Sequence, residues 1–242
     1  GYSITAIVGL LVFSNRNSLL HFVRPVCRPQ TLGRAVTNGC SEMATALVNG
    51  IITLMFNWTM LKYVGEDGVA AITIISYVLA FAGSLYAGYA YGVAPMLSFY
   101  YGEQNHEKLR KLVRTSLKII GVIAAATVLV SLAVTEPLVS IFARPGTPVY
   151  DLAVAGNRIC SLALLFVGFN IFASGMFTAL SNGLISAVLA FSRTFVFTLI
   201  AMLVLPVILG VTGIWLATPA AELAAVVLSA VMLLKYRRRY CY

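Results

Sequence analysis

Read along the chain, apolar residues fall in long blocks separated by short polar breaks. Six blocks run at about residues 37–61, 69–100, 115–135, 154–180, 185–209 and 212–234. Each is long enough for a helix to cross a bilayer, which takes roughly 20 mostly apolar residues. The breaks lie at 62–68, 101–114, 136–152, 181–183 and 210–213. No stretch shows the short alternating segments of a barrel, so every span is expected to be a helix. A shorter apolar run at residues 2–13 cannot span, and no basic stretch precedes it as in a signal peptide. It is expected to be the end of a helix that starts before Gly1.

These blocks divide the chain into four parts. Residues 1–14 are the remnant of a preceding transmembrane helix, and 15–36 a connector with Arg16, Arg24, Arg28, Pro25 and Pro29. Residues 37–234 form a six-helix bundle, and 235–242 a basic tail. Composition agrees. The chain is 60% apolar and 10% charged, with a mean hydropathy of +0.91, whereas soluble domains average about 25% charged residues. Too few charges are present to cover a water-exposed surface.

Charge then sets orientation. Alternate connections collect fourteen of the seventeen Lys and Arg residues on one side: the 15–36 cluster, residues 108–118, Arg193, and the 235–239 run. Lys62, Arg144 and Arg158 fall on the other, with Glu66, Asp67, Glu136 and Asp151. Short loops rich in Lys and Arg stay in the cytoplasm. Loops 15–36, 101–114 and 181–193 and the C-terminus are therefore expected inside, with Asp67 and Pro145 outside. The net charge of +9 needs no nucleic acid, since a basic run after a span acts as a topology anchor and touches anionic lipid.

Two acids fall within spans. Glu42 shares a helix face with Asn38, Thr45, Asn49 and Thr53, at spacings of 4, 3, 4 and 4 residues. A polar stripe in a lipid-bathed helix implies a water-filled cavity or polar partners. A carboxylate held there suits a site that exchanges protons or takes a cation. Interhelical hydrogen bonding is the other reading. Glu222, after Pro219, is either a second ionisable site or the partner of a turn that the proline opens. Two further faces, Thr73/Tyr77/Ser84/Gly88/Tyr91 and Asn170/Ser174/Thr178/Ser181, line a cavity or pack closely. The four cysteines lack metal-ligand spacing and read as buried apolar residues or free thiols. No phosphate loop, GxSxG, HExxH or GxGxxG is present, so no enzyme is expected.

Four stretches carry a resemblance. They are Gly92-Val-Ala-Pro95-Met-Leu-Ser98-Phe-Tyr-Tyr-Gly102-Glu-Gln-Asn105 with the basic run after it; Gly39-Cys-Ser-Glu42; Tyr63-Val-Gly65-Glu66-Asp-Gly-Val-Ala70-Ala71; and Gly213-Ile-Trp215-Leu-Ala-Thr-Pro219-Ala-Ala-Glu222. Together they resemble the second half of the multidrug and toxin extrusion (MATE) family. The resemblance implies one six-helix lobe of a twelve-helix secondary antiporter that expels organic cations or other amphipaths in exchange for Na⁺ or H⁺. It implies no cofactor beyond that coupling ion, and as partners the missing N-terminal lobe or a second copy. Parallel six-helix repeats are related by an axis along the membrane normal. The family often has a cation-coupling acid where Glu42 stands, with Na⁺ near it. Some members add an Asp in the fourth helix of this lobe, where this chain has Asn170. Asn38, Asn49, Tyr77, Asn170 and Glu222 complete the expected ion and substrate residues. A lobe of a lipid-linked oligosaccharide flippase, favoured by an Arg-rich cavity, and a non-transporting membrane subunit are the alternatives.

Overall fold

The computed structural model describes residues 2–14 and 29–240, with side chains for 7–14, 29, 47–237, 239 and 240. Two compact units emerge, 1–44 and 45–242, and each is described by itself. Ten α-helices form the described backbone: α1 (Tyr2–Ser14), α2 (Pro29–Tyr63), α3 (Glu66–Gly102), α4 (His106–Ala133), α5 (Thr135–Ser140), α6 (Pro148–Cys160), α7 (Leu164–Ala179), α8 (Gly183–Phe191), α9 (Thr198–Leu209) and α10 (Val211–Tyr240). A 3₁₀ turn (Ser161–Ala163) joins α6 to α7, and a π turn (Ser192–Phe197) joins α8 to α9. No strand occurs among the described residues. Five of these runs are long and apolar enough to cross a membrane: Glu66–Gly102, His106–Ala133, Pro148–Ala179, Gly183–Leu209 and Val211–Arg237. The 35-residue α2 stands where the first full span is expected.

Helix ends explain where the polar breaks shrink. Asn105 caps α4 by accepting from the Lys108 amide at 3.1 Å, so the basic run at 108–114 is helical and not loop. The expected connector also gives way early, because α2 begins at Pro29; residues 15–28 lie outside the described residues. Asn182 caps α8 through the Ile185 amide, and only Leu180, Ser181 and Asn182 separate α7 from α8. Gly210, with φ +60°, closes α9 and admits the tight reversal into α10.

Within unit 45–242 the core has two main clusters. Met60, Ile72, Ile75, Val139, Ala153, Met202, Ile214 and Trp215 form one; Leu97, Leu109, Phe172, Met176, Phe177, Leu189 and Tyr240 form the other. Helices approach closely where side chains are small. A Cβ on Gly168 would lie 2.6 Å from the Tyr86 ring, whose hydroxyl donates to the Leu164 carbonyl. Large apolar side chains face outward, among them Phe81, Val122, Leu184 and Val207. That surface is stable only where hydrocarbon is the solvent.

Candidate functional site

The expected site residues separate into four groups, of which Tyr77 alone is the last. Glu42 and Asn38 lie in α2, but their side chains are outside the described residues. Asn49, further along α2, is exposed, and its carbonyl accepts the Thr53 hydroxyl at 2.9 Å. Asn170 and Glu222, 52 positions apart in the chain, meet inside the bundle.

Their meeting defines a polar cluster between α7, the π turn and α10. The Asn170 amide nitrogen donates to Glu222 Oε2 at 2.7 Å and to the Glu222 carbonyl at 3.0 Å. Arg193 Nε donates to Glu222 Oε1 at 2.8 Å. Ser229 Oγ donates to Asn170 Oδ1 at 3.0 Å. Asn170 is 2% exposed and Glu222 8%, so the cluster is withdrawn from solvent and lipid.

Local structure puts Arg193 there. The wide π turn shifts the register by one residue, and Thr198 Oγ1 accordingly reaches the Arg193 carbonyl five positions back, at 3.1 Å. At 1.5 Å per residue, Arg193 stands about 15 Å into its span and Glu222 about 16 Å into the next, from opposite ends. Both are near mid-depth. A lone charge there costs roughly 2.5–3.5 kcal/mol on insertion scales, so each stabilises the other's placement.

This corrects one expectation: Arg193 belongs to no loop. The segment 183–193 is helix, and thirteen basic residues, not fourteen, remain on the side expected inside. The chain carried a signal for it. Arg193 is the single charge between residues 183 and 209, and Glu222 the single charge between 211 and 234. Ser229 carried no such signal.

The fourth-span face is also resolved. Ser174 and Thr178 contact Ser186 of α8 at 3.0 and 2.7 Å, oxygen to oxygen, so they join helices. Cys160 is buried with its thiol against the Trp215 carbonyl. Among the described residues no group of three or more His, Cys, Asp and Glu side chains gathers to hold a metal.

Tyr77 instead opens onto a groove of about 740 Å³ between α2, α3 and the α5–α6 connection. Asn57, Trp58, Tyr77 and Phe142 line it, with Glu66 at the start of α3. Lys62 already sets its ammonium 5.9 Å from the Trp58 ring centroid, so that ring face presents to a cation.

The MatE family model matches residues 43–204. The chain belongs to the MatE family. Among solved structures, a multidrug resistance MATE family transporter of the MOP superfamily matches in its inward-facing conformation with a TM-score of 0.83 and 20% identity, over 98% of this chain and 54% of that one. Its outward-facing conformation matches at 0.79 and 20%, over 99% and 53%. A MOP superfamily transporter from Pyrococcus furiosus, whose binding pocket is described as of reverse polarity, matches at 0.79 and 19%, over 99% and 54%. No curated protein matches the sequence. This MatE chain thus spans about half the length of the transporters it resembles. It is a multi-pass membrane protein, all-helical, with the fold of a multidrug transporter.

Proposed function

We propose that this MatE chain forms one lobe of a secondary antiporter that exports amphipathic organic cations in exchange for Na⁺ or H⁺. The groove beside Tyr77 carries the reading. Its walls are aromatic and apolar, and its one acid, Glu66, is an exposed carboxylate at the rim. A flat hydrophobic cation matches both features: rings accept its faces and the carboxylate its charge. Coupling is assigned to Glu42 of α2, the acid for which the sequence offers a polar stripe. Loops at 103–105 and 180–182 and the end of α10 are assigned to the cytoplasm. Alternating access rocks one repeat against another around a site between them. A second lobe, from another segment or a second copy, is therefore part of the working unit. The flippase reading gains no support: Glu222 neutralises Arg193, the one Arg inside the 183–209 span.

Trp58 makes the groove testable, because the other tryptophan, Trp215, is buried in the core. A lipophilic cationic dye should quench the purified full chain saturably, and W58F should lose the saturable component. Saturable quenching that persists in W58F, or none in the parent, refutes the groove as the substrate site.

A further inference from the structure

We propose that Arg193 is a tethered counterion filling a cation cradle built by Glu222 and Asn170, which withdraws this acid from ion coupling. The inference rests on the coupled-antiporter reading and deepens it, since it states which interior acid a coupling ion cannot use.

Both carboxylate oxygens of Glu222 have a donor. Glu222 Oε1 takes Arg193 Nε and Oε2 takes Asn170 Nδ2. Asn170 is committed at both ends of its amide, nitrogen to Glu222 and oxygen to Ser229. An incoming Na⁺ would find oxygens of the right kind already engaged, the carboxylate Oε1 by the protein's own cation and the amide oxygen by Ser229. A proton would find the same carboxylate satisfied by two donors.

Backbone specialisation points the same way. An ordinary α-helical turn from 191 to 197 would leave Arg193 one residue, about 100°, out of register with the rest of its span. The π turn corrects this within a span that is otherwise regular, and such turns gather at functional positions. On the facing helix, Pro219 lies one turn before Glu222. The π turn thus faces a stretch of α10 in which a proline removes one backbone donor. Arg193 also retains part of its side-chain surface, at 22%, so the cation arm lies at the edge of the cluster, where it can be removed without emptying the centre.

The cradle predicts its own unmasking. In R193M, which keeps the apolar length and deletes the charge, Glu222 Oε1 loses its donor and becomes free to take a cation. The purified R193M chain, held at a pH above the ordinary carboxylate range, should melt at least about 3 °C higher in sodium than in choline chloride. The parent should show no such increment from this site, measured as the difference between it and E222Q. R193K, which restores a cation, should abolish the sodium response. The double variant R193M/E222Q, neutral throughout, should accumulate like the parent. Co-assembled with its second lobe, it should keep the parent's ion dependence of dye export. An R193M without sodium response overturns the cradle. A double variant that folds but loses ion-dependent export shows that Glu222 couples transport, and also overturns it. A parent with no ion-dependent export at all would fault the antiporter reading instead, and leaves the R193M melting test standing.

Discussion

Two polar faces with the same helical spacing meet opposite fates in this molecule. On α7, Asn170, Ser174 and Thr178 are each closed by a partner on another helix: Glu222 and Ser229 on α10, Ser186 on α8. On α3, Thr73, Tyr77, Ser84, Gly88 and Tyr91 all face out. There Thr73 and Ser84 turn back onto carbonyls of their own helix. Tyr77 and Tyr91 are 63% and 77% exposed. Periodicity reports that polar groups share a face, but not whether another helix reaches it. In lipid an unpartnered polar group is costly, so an open polar face implies water or a further protein surface beyond it. The closed face holds this lobe together; the open one is the surface it offers outward.

Substitutions on the two faces should therefore separate. The largest effect falls on the closed face, where E222L strands the Arg193 guanidinium at mid-depth. Losing one partner of a buried pair costs about 3–5 kcal/mol. E222L should thus melt far below the parent in detergent, whereas Y77F should stay within about 0.5 kcal/mol. Equal melting of E222L and Y77F would erase the distinction between the faces.

Glycines give the next contrast. A Cβ at Gly168 meets the Tyr86 ring at 2.6–2.7 Å and Ile120 at 2.9 Å, inside a packed contact. Overpacking costs about 1–3 kcal/mol, so G168A should lower the melting midpoint despite alanine's better helix propensity. Nothing lies within 4 Å of a Cβ at Gly88. G88A should therefore raise the midpoint by the helix-propensity gain of up to about 1 kcal/mol. A stable G88L that loses co-assembly with a second lobe would show directly that α3 docks there.

How much of this was legible in the chain varies with the physics involved. Five of the six span positions were, because lipid demands about twenty apolar residues in a row and little else does; α9 ends at Leu209, where its apolar block ends. Helix starts were misjudged where a cap lay inside a polar break. Asn105 begins α4 amid the residues expected as loop, although an Asn before a basic amphipathic run is a start signal. Arg193 was misplaced because a charge near a polar break reads as loop unless its partner is known, and that partner sits 29 residues away on another helix. Lone opposite charges in successive spans were the available clue. Asn170 and Glu222 were singled out separately, but their contact depends on helix packing that spacing does not encode.

The smallest expected effects come from hydroxyls, and they sharpen the comparison most finely. Ser186 contacts both Ser174 and Thr178 and also offers its carbonyl to Ser174. S186A removes two interhelical hydroxyl contacts, and such bonds average about 0.6 kcal/mol each within membranes. The midpoint should therefore fall by a shift of about 1 kcal/mol. S84A is the control: its hydroxyl bonds only to the Ala80 carbonyl, one turn back on the same exposed face. That bond is local and joins no two helices, so S84A should shift the midpoint by less than about 0.5 kcal/mol. A double-mutant cycle of S186A with S174A supplies the decisive number. Coupling of about 0.5 kcal/mol or more places the α7–α8 contact in the folded lobe. Coupling indistinguishable from zero would mean that the α7 hydroxyls are satisfied as locally as Ser84, and the two faces would differ only in exposure.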